Sequence, residues 1–365
     1  MDVSVERRLR VTAKALEQYG PSSANSVPAS GTTLPAPLLT ARFLAPLSDL
    51  MRELSLDPAQ CLQEAGLEPA TFTDEGRSIS FPELERLFAV CERRAGADHV
   101  GLLFGQRLGL RDLGLSGNAA LSSATAGDAI RALVDHCNLH DTPAIAQLGV
   151  HGDRASFSWR LDEHCLVDAR HFDYAGLAVS RNLLRDLLGA GWQPRAVRFA
   201  SRHPVQSEAF VAYFGAPVEF DAERSEIEFD ARVLAQPLPA LEPAAQTAIA
   251  AELQQARLDL LADLPTTLRR VLRKRLLLGD FSMDDVAAQL SMHRRTLDRR
   301  LQRSDTTYGE LLETVRDDIA RQLLRDTRFS IQRIAESVRF SSAANFATAF
   351  RRRTGMTPTE YRRAR

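Results

Sequence analysis

The stretch Phe281-Ser-Met-Asp-Asp-Val-Ala-Ala-Gln-Leu290 and its later counterpart Phe329-Ser-Ile-Gln-Arg-Ile-Ala-Glu-Ser-Val338 repeat one pattern near the end of the chain. In both copies apolar residues fall at positions i, i+3, i+4 and i+7, which places them on one face of a helix. A serine precedes each helix, Ser282 or Ser330, and its oxygen can accept a hydrogen bond from a backbone N–H of the first turn. The pattern predicts two short amphipathic helices whose buried faces are Met283, Val286, Ala287 and Leu290, and Ile331, Ile334, Ala335 and Val338.

Each of these helices is followed by a short break and by a second helix that is rich in polar side chains. The first such helix, within His293–Arg303, has five arginines, and Leu297 and Leu301 remain to face a core. In the second copy Phe346 and Phe350 take the core role. A helix, a tight turn and a helix form the helix-turn-helix unit, whose second helix enters the major groove of DNA. The sequence therefore predicts two such units in tandem.

The segments around the second unit contain clear signals for helix ends and starts. Gly355 suits a left-handed helix stop. Thr357 and Glu360 form a T-x-x-E capping box with Pro358 at the first helical position. Thr307 begins an equivalent box, which predicts a helix between the two units. The apolar face of that linking helix consists of Leu312, Val315, Ile319 and Leu323.

Residues 265–365 resemble the double helix-turn-helix DNA-binding domain of the AraC/XylS family of bacterial transcription regulators. The ending Phe350-Arg-Arg-Arg-Thr-Gly-Met-Thr-Pro-Thr-Glu-Tyr-Arg362 is similar to that family's signature. The resemblance implies an all-α domain that binds duplex DNA through two major-groove helices. Two positions depart from the family pattern: Arg339 stands where glycine is usual in the second turn, and Thr348 stands where arginine is frequent.

The arginine positions predict how the two helices share the contacts with DNA. Arg295 and Arg299 are four residues apart and therefore project from one helix face, and arginine can bind a guanine edge at two points. The resemblance assigns base reading mainly to these two arginines, with Arg294, Asn345 and Thr348 as further candidates. The arginines predicted to contact phosphates are Arg300, Arg351, Arg352 and Arg353.

The net charge of −1 hides a strong asymmetry along the chain. Residues 265–365 contain 22 basic and 12 acidic residues, whereas the remainder contains 24 basic and 35 acidic residues. A basic end on an acidic body is typical of a nucleic-acid-binding module joined to a part that does not touch nucleic acid.

Upstream of the basic domain the sequence predicts three segments. Residues 1–36 form a flexible tail, because this segment lacks the apolar content for a core. Residues 37–239 form an α+β domain for effector sensing and dimerisation. Residues 240–264 form a linker helix with Ile249, Leu253, Ala256 and Leu260 on one side, which either packs on that domain or forms a dimer seam.

Within residues 37–239 helices precede a β-hairpin, which consists of Ala144–Val150 and Ala155–Leu161. A strand at Arg195–Phe199 and a pair of short strands, Val218–Phe220 and Glu226–Phe229, are predicted to follow. The predicted helices are Ala45–Leu54, Pro58–Ala65, Phe81–Ala95, His99–Leu108, Thr125–His136, Asp168–Leu188 and Val205–Phe214.

This layout resembles the N-terminal effector domain of one AraC subgroup, often labelled arabinose-binding, through Pro194–Phe199 and Tyr213–Phe220. The resemblance implies that the domain senses a small molecule, without naming the compound. Four side chains are candidates for the effector pocket, although aromatic residues in a mixed domain also serve as core: Trp159, Tyr174, Phe199 and His203.

The motifs of common enzymes and of cofactor sites are absent from the sequence. It contains no G-x-S-x-G, P-loop or G-x-G-x-x-G motif, and its four cysteines form no C-x-x-C pair. No run approaches the roughly 18 apolar residues of a membrane span. We therefore expect no catalytic residue, no cofactor, no bound metal and no membrane segment. The cysteine pattern predicts a reduced cytoplasmic protein, and the resemblance implies a bacterial one associated with the nucleoid.

Together these features predict a sequence-specific DNA-binding transcription regulator that responds to a small-molecule effector. Its expected partners are duplex operator DNA, the effector and RNA polymerase, with a homodimer as an open alternative. One rival is a ligand-independent architectural protein, which two different recognition helices disfavour. Another is an enzyme fused to a DNA-targeting module, as in suicidal repair methyltransferases. That chemistry needs a cysteine in a Pro-Cys-His-like setting, and none of the four cysteines has one.

Overall fold

The computed structural model describes residues 38–74, 78–139, 144–161, 168–278, 282–290, 292–326 and 329–363. The described chain has an α+β N-terminal region, whose main sheet has five strands, followed by an all-α C-terminal region. This arrangement confirms the predicted fold class. The predicted tail, residues 1–36, lies outside the described residues.

Helices dominate the first part of the N-terminal region, beside a two-stranded sheet of β1 (Leu38–Thr40) and β2 (Ser78–Ser80). Ser80 ends β2 and caps the next helix. Its N–H donates to Glu83 Oε2 at 2.7 Å, and the Glu83 N–H donates to Ser80 Oγ at 3.4 Å. The helices are α1 (Ala41–Glu53), α2 (Pro58–Glu64), α3 (Phe81–Ala95), α4 (Val100–Gly105), α5 (Leu115–Leu121) and α6 (Ala126–Leu139). The helix predicted over His99–Leu108 is thus shorter, and α5 was not predicted.

The main sheet has the strand order β3-β4-β7-β5-β6. Its first two strands are the predicted hairpin, with His151 opposite Arg154 across a turn in which Gly152 has a φ of 63°. Such a left-handed turn residue favours glycine because glycine has no Cβ. The strands are β3 (Ala144–His151), β4 (Arg154–Leu161), β5 (Ala196–Arg198), β6 (Val218–Glu219) and β7 (Glu226–Asp230).

The predicted pairing of Val218–Phe220 with Glu226–Phe229 is wrong. β6 pairs in parallel with β5, and β7 lies between β4 and β5. A helix connects β5 to β6, as parallel neighbours require a crossover connection. That helix, α8, spans Glu208–Phe214 and begins later than the predicted Val205.

Helix α7 (Arg170–Leu188) forms the centre of the N-terminal region. Two glycines of α4 allow its backbone to approach α7 closely. A Cβ on Gly101 would lie 2.1 Å from the carbonyl oxygen of His171, and one on Gly105 would lie 2.5 Å from that of Ala175. These contacts therefore fix the distance between the two helices.

Two helices follow the sheet and join the N-terminal region to the C-terminal region. In α9 (Pro243–Ala262) Ile249 is fully buried, and the Asn118 side chain of α5 donates to Glu252 at 3.3 Å. The predicted apolar side of this helix therefore packs at least in part on the N-terminal region. In α10 (Leu264–Leu278) the buried Lys274 donates from Nζ to the backbone carbonyl of Cys137 in α6.

The C-terminal region forms one apolar core, which includes most of the residues that the periodicity predicts. Val286, Ala287, Leu297 and Leu301 of the first unit and Ile334, Ala335, Phe346 and Phe350 of the second are all buried in it. Its helices are α11 (Met283–Gln289), α12 (Arg294–Gln302), α13 (Tyr308–Asp326), α14 (Ile331–Ser337), α15 (Ala343–Thr354) and α16 (Pro358–Arg363), after α10.

Candidate DNA-binding surface and effector cavity

The first helix-turn-helix unit is held in place by local hydrogen bonds. Ser282 and Asp285 cap each other at the start of α11, with N···O distances of 2.7 and 3.2 Å. The turn closes where the Met292 N–H donates to the Ala287 carbonyl at 2.8 Å. His293 then caps α12, because its Nδ1 accepts from the Arg295 N–H at 3.3 Å. These hydrogen bonds therefore fix the start of α11, the turn and the start of α12.

Helix α12 presents arginines on the side opposite its buried leucines. Arg294, Arg295 and Arg299 are exposed, and Arg300 is half-buried. Arg294 lies 4.0 Å from Asp284, with both side chains mostly exposed, so this ion pair is weak. Within the described part of the chain, the guanidinium groups of Arg295 and Arg299 form no ion pair or hydrogen bond. They are available to a ligand outside the protein.

Helix α15 offers shorter and partly engaged side chains. Ser342 caps the helix by accepting from the Asn345 N–H at 3.1 Å. The exposed Asn345 side chain donates to Ser341 Oγ at 2.9 Å, and the exposed Thr348 hydroxyl donates to the Ala344 carbonyl at 3.0 Å. Asn345 and Thr348, the candidate base-reading residues of α15, thus each already donate a side-chain hydrogen bond within the protein.

The turn of the second unit contains the arginine that departs from the family pattern. Arg339 has a φ of 61°, so the backbone adopts the left-handed turn without glycine. The Phe340 N–H closes this turn on the Ala335 carbonyl at 2.9 Å, just as Met292 does in the first unit. The second unit then has one extra residue before its helix cap, Ser342.

The three arginines at the end of α15 have different surroundings. Arg351 and Arg352 are exposed. Arg353 instead forms an ion pair with Asp317 of α13 and donates to Thr314 at 3.4 Å. Burial raises the pKa of Asp317, and Arg353 partly offsets that effect. Arg353 therefore ties α15 to the linking helix.

The N-terminal region contains a cavity of about 770 Å³. It lies among β3, the end of β4, the start of α7 and the loops next to β5 and β7. Trp159 forms part of the wall, and its ring lies so close to Gly176 of α7 that an added Cβ would come within 2.3 Å of it. The volume is in the range of cavities that bind small molecules.

Only one of the four predicted pocket residues lines this cavity. Trp159 does so, whereas Tyr174 and Phe199 are completely buried in the aromatic core, where the Tyr174 hydroxyl donates to the Arg202 carbonyl at 2.9 Å. His203 is exposed and packs on the ring of Phe220. The sequence prediction favoured aromatic residues, and so missed the charged residues that do line the cavity, which are Arg160, Asp168, Arg170, Asp173, Arg202, Asp221, Glu223 and Arg224.

Comparison with known families identifies both regions of the chain. Residues 56–238 match the model of the arabinose-binding domain of AraC transcription regulators, and residues 286–364 match a helix-turn-helix domain. The chain belongs to the AraC family of transcription regulators. It is a DNA-binding transcription regulator with an N-terminal effector domain.

Relatives of this AraC-family chain align over most of its length. The ornithine utilization regulator of Pseudomonas aeruginosa is 28% identical over 333 residues, which cover 90% of this chain and 97% of that protein. The regulator VirS of Mycobacterium tuberculosis is 28% identical over 332 residues, covering 89% and 96%. The crystal structure of the regulator CdpR from Pseudomonas aeruginosa covers 88% of this chain and 98% of that one, with 23% identity and a TM-score of 0.45.

The described residues of this AraC-family regulator offer neither a metal-binding cluster nor a membrane-spanning helix. Within the described ranges, no group of three or more His, Cys, Asp or Glu side chains is suited to hold a metal ion. His140, which has the i, i+4 spacing from His136 of two metal ligands on a helix, lies outside those ranges. No helix among the described residues is long and apolar enough to cross a membrane.

Proposed function

We propose that this regulator recognises its operator mainly through α12, with Arg295 and Arg299 as the base-reading residues. The observation that carries the proposal is their pair of exposed, unengaged guanidinium groups on one face of a helix whose opposite face is buried. Two-point binding to guanine contributes about 1–3 kcal/mol of discrimination per base. Arg294 lies beside them, and Asn345 and Thr348 make a smaller contribution from α15.

Binding-site selection on two variants tests this division between the helices. Arg299→Ala should weaken operator binding by at least about 1 kcal/mol more than Thr348→Ala, which is roughly a fivefold difference in Kd. It should also relax preference at one or two adjacent base pairs. Arg111→Ala, an exposed arginine of the N-terminal region, is the control. If Thr348→Ala changes the selected DNA sequence more than Arg299→Ala does, α15 contributes more to base recognition than α12.

Phosphate contacts are proposed for Arg300, Arg351 and Arg352. Arg352→Ala should weaken binding to operator and random DNA alike, and should lower the slope of log K against log salt by about 1. Arg353 is assigned a positioning role, since Asp317 engages it. Arg353→Ala should therefore leave that slope unchanged, and an equal loss of slope in both variants would contradict the assignment.

The cavity in the N-terminal region is the proposed effector site. Its volume and its mixture of charged, hydroxyl and aromatic lining support a small polar ligand. Ser158 lines it, so Ser158→Trp should fill it. We expect a metabolite that raises the Tm of the full-length protein to lose this effect in Ser158→Trp. An unchanged Tm shift in that variant would place the effector elsewhere.

Regulation of transcription rather than catalysis is the proposed activity, with RNA polymerase as a further partner. Burial raises the pKa of Cys91 to about 12 and also raises that of Cys61, which keeps both thiols protonated and poorly nucleophilic. This supports the sequence argument against a fused repair enzyme. A homodimer is also proposed. Ile249 of α9 is buried within the chain, so a dimer interface along this helix would use the opposite, exposed side. The exposed residues on that side are Ala244, Ala248, Ala251 and Leu258.

A further inference from the structure

The charged groups around the cavity fall into two sets, those already paired and those left open. Arg170 is paired with Glu92 and Asp168 at 2.8 Å each. Arg224 is paired with Glu226 at 2.8 Å. Five of the eight charged lining residues are engaged: Arg170, Asp168 and Arg224 in these pairs, Arg160 in a further contact, and Asp173 in the hydrogen bonds described next.

Asp173 is buried and acts as a fixed support for the cavity wall. Its Oδ2 accepts from the Ser201 backbone N–H at 3.1 Å and from the Ser201 hydroxyl. The Ser201 carbonyl in turn accepts from the Asp221 N–H at 3.1 Å. These bonds hold the loop after β5 against the loop before β7. Arg202 and Asp221, one on each loop, are therefore held near each other at the cavity.

Three charged lining residues remain without such partners: Arg202, Asp221 and Glu223. Among the described residues, their side chains form no ion pair or hydrogen bond, and all three are exposed at the cavity. Two open carboxylates and one open guanidinium favour a ligand that carries positive charge in excess and also one anionic group. Trp159 adds an aromatic surface, on which a cationic group is stabilised.

We propose that the effector cavity binds a cationic zwitterion, a small organic molecule with a carboxylate and at least two cationic groups. Arg202 would pair with its carboxylate, and Asp221 and Glu223 with its ammonium or guanidinium groups. This inference rests on the proposed effector site and adds the chemical class of the ligand. A neutral apolar ligand would gain nothing from either carboxylate, and an anionic ligand would be repelled by both.

Calorimetric titration of the full-length protein with three matched compounds tests the class. l-Arginine has the required charges, l-citrulline replaces its guanidinium with a neutral group of similar shape, and agmatine lacks its carboxylate. We expect l-arginine to bind at millimolar or lower concentration, and about tenfold more tightly than either analogue, because each analogue loses a charge-assisted contact. Absence of l-arginine binding in that range, or equal binding of l-citrulline or l-glutamate, overturns the proposal.

Variants of the open residues then connect the charges to the cavity. The double variant Asp221→Asn, Glu223→Gln should remove the difference between l-arginine and l-citrulline, and Arg202→Gln should remove that between l-arginine and agmatine. Asparagine is chosen because residue 221 has a φ of 58°, which asparagine tolerates. Glu208→Gln, an exposed carboxylate on α8, is the control and should change neither difference.

The filled variant Ser158→Trp separates failure of the class from failure of the site. If l-glutamate or a neutral compound binds the wild-type protein but not Ser158→Trp, the result supports the proposed effector site and contradicts the cationic ligand class. If l-arginine binds both proteins equally, its site lies elsewhere and both proposals fail. Loss of l-arginine binding in Ser158→Trp, with an unchanged unfolding midpoint of the unliganded protein, supports both.

Discussion

Replacing Arg339 with glycine should stabilise the C-terminal region. The turn holds residue 339 at a φ of 61°, between the buried Val338 and a backbone hydrogen bond from Phe340. The left-handed conformation costs a residue with a Cβ about 1–2 kcal/mol. Glycine removes this cost, but its greater conformational entropy stabilises the unfolded chain by about 0.4–1 kcal/mol. The net gain in unfolding free energy from the backbone alone should be about 0.5–1 kcal/mol, and Arg339→Ala separates this gain from the contribution of the arginine side chain.

Differential scanning calorimetry of the full chain measures this gain as an upward shift of the C-terminal transition by about 2–6 °C. Arg339→Ala retains the Cβ and should give no gain. Arg299→Gly makes the same exchange at an exposed position inside α12 and should cost about 1 kcal/mol. If Arg339→Gly lowers the transition, or Arg339→Ala raises it equally, backbone strain at residue 339 is not the explanation.

Three further predictions concern packing, pH and the contact between the two regions. Gly101→Ala should lower the unfolding free energy by about 3 kcal/mol in urea titrations, because its Cβ would meet the α7 backbone, whereas Gly309→Ala has open space around it and should be neutral or slightly stabilising. Burial lowers the pKa of His171 despite its contact with Glu92, so the folded protein favours the neutral imidazole. The contribution of His171 to the unfolding free energy should therefore be complete above pH ~6.5 and decline below it. His171→Gln should make the Tm depend less steeply on pH in this range. Lys274→Met removes a buried donor to α6 and should cost about 1–3 kcal/mol and speed proteolysis between the two regions; an unchanged digestion rate would argue against a structural role for that contact.

Features set by neighbouring residues could be predicted from the sequence. The cap at Ser282 and the boxes at Thr307 and Thr357 need only residues three positions apart, and the hydrogen bonds of all three are present. The hairpin of β3 and β4 depends on alternation and a two-residue turn, which are equally local. The apolar faces of the two helix-turn-helix units follow from helical spacing alone, and six of their eight predicted residues are buried, whereas Met283 and Ile331 are half-buried.

Features set by distant residues could not be predicted in the same way. The parallel pairing of β5 with β6 depends on where α8 packs, and two nearby short strands equally suggest a hairpin. Asp221 and Glu223 reach the cavity through the loop between β6 and β7, and nothing in their local sequence separates them from ordinary surface carboxylates. Arg353 was predicted from its place in an arginine run, while its contact with Asp317 depends on how α15 packs against α13.

Helix α6 has contacts on two sides, and this arrangement has a thermodynamic consequence. Its Cys137 carbonyl accepts a hydrogen bond from Lys274 of the DNA-binding region. Four residues separate its end from β3, where Ile145 and Gln147 line the cavity. If occupancy of the cavity alters affinity for DNA by some factor through this helix, operator DNA must alter affinity for the effector by the same factor. DNA can therefore serve as a reagent in the search for the effector. The compound sought is one whose Kd for the protein changes when operator DNA is added and does not change with a scrambled duplex.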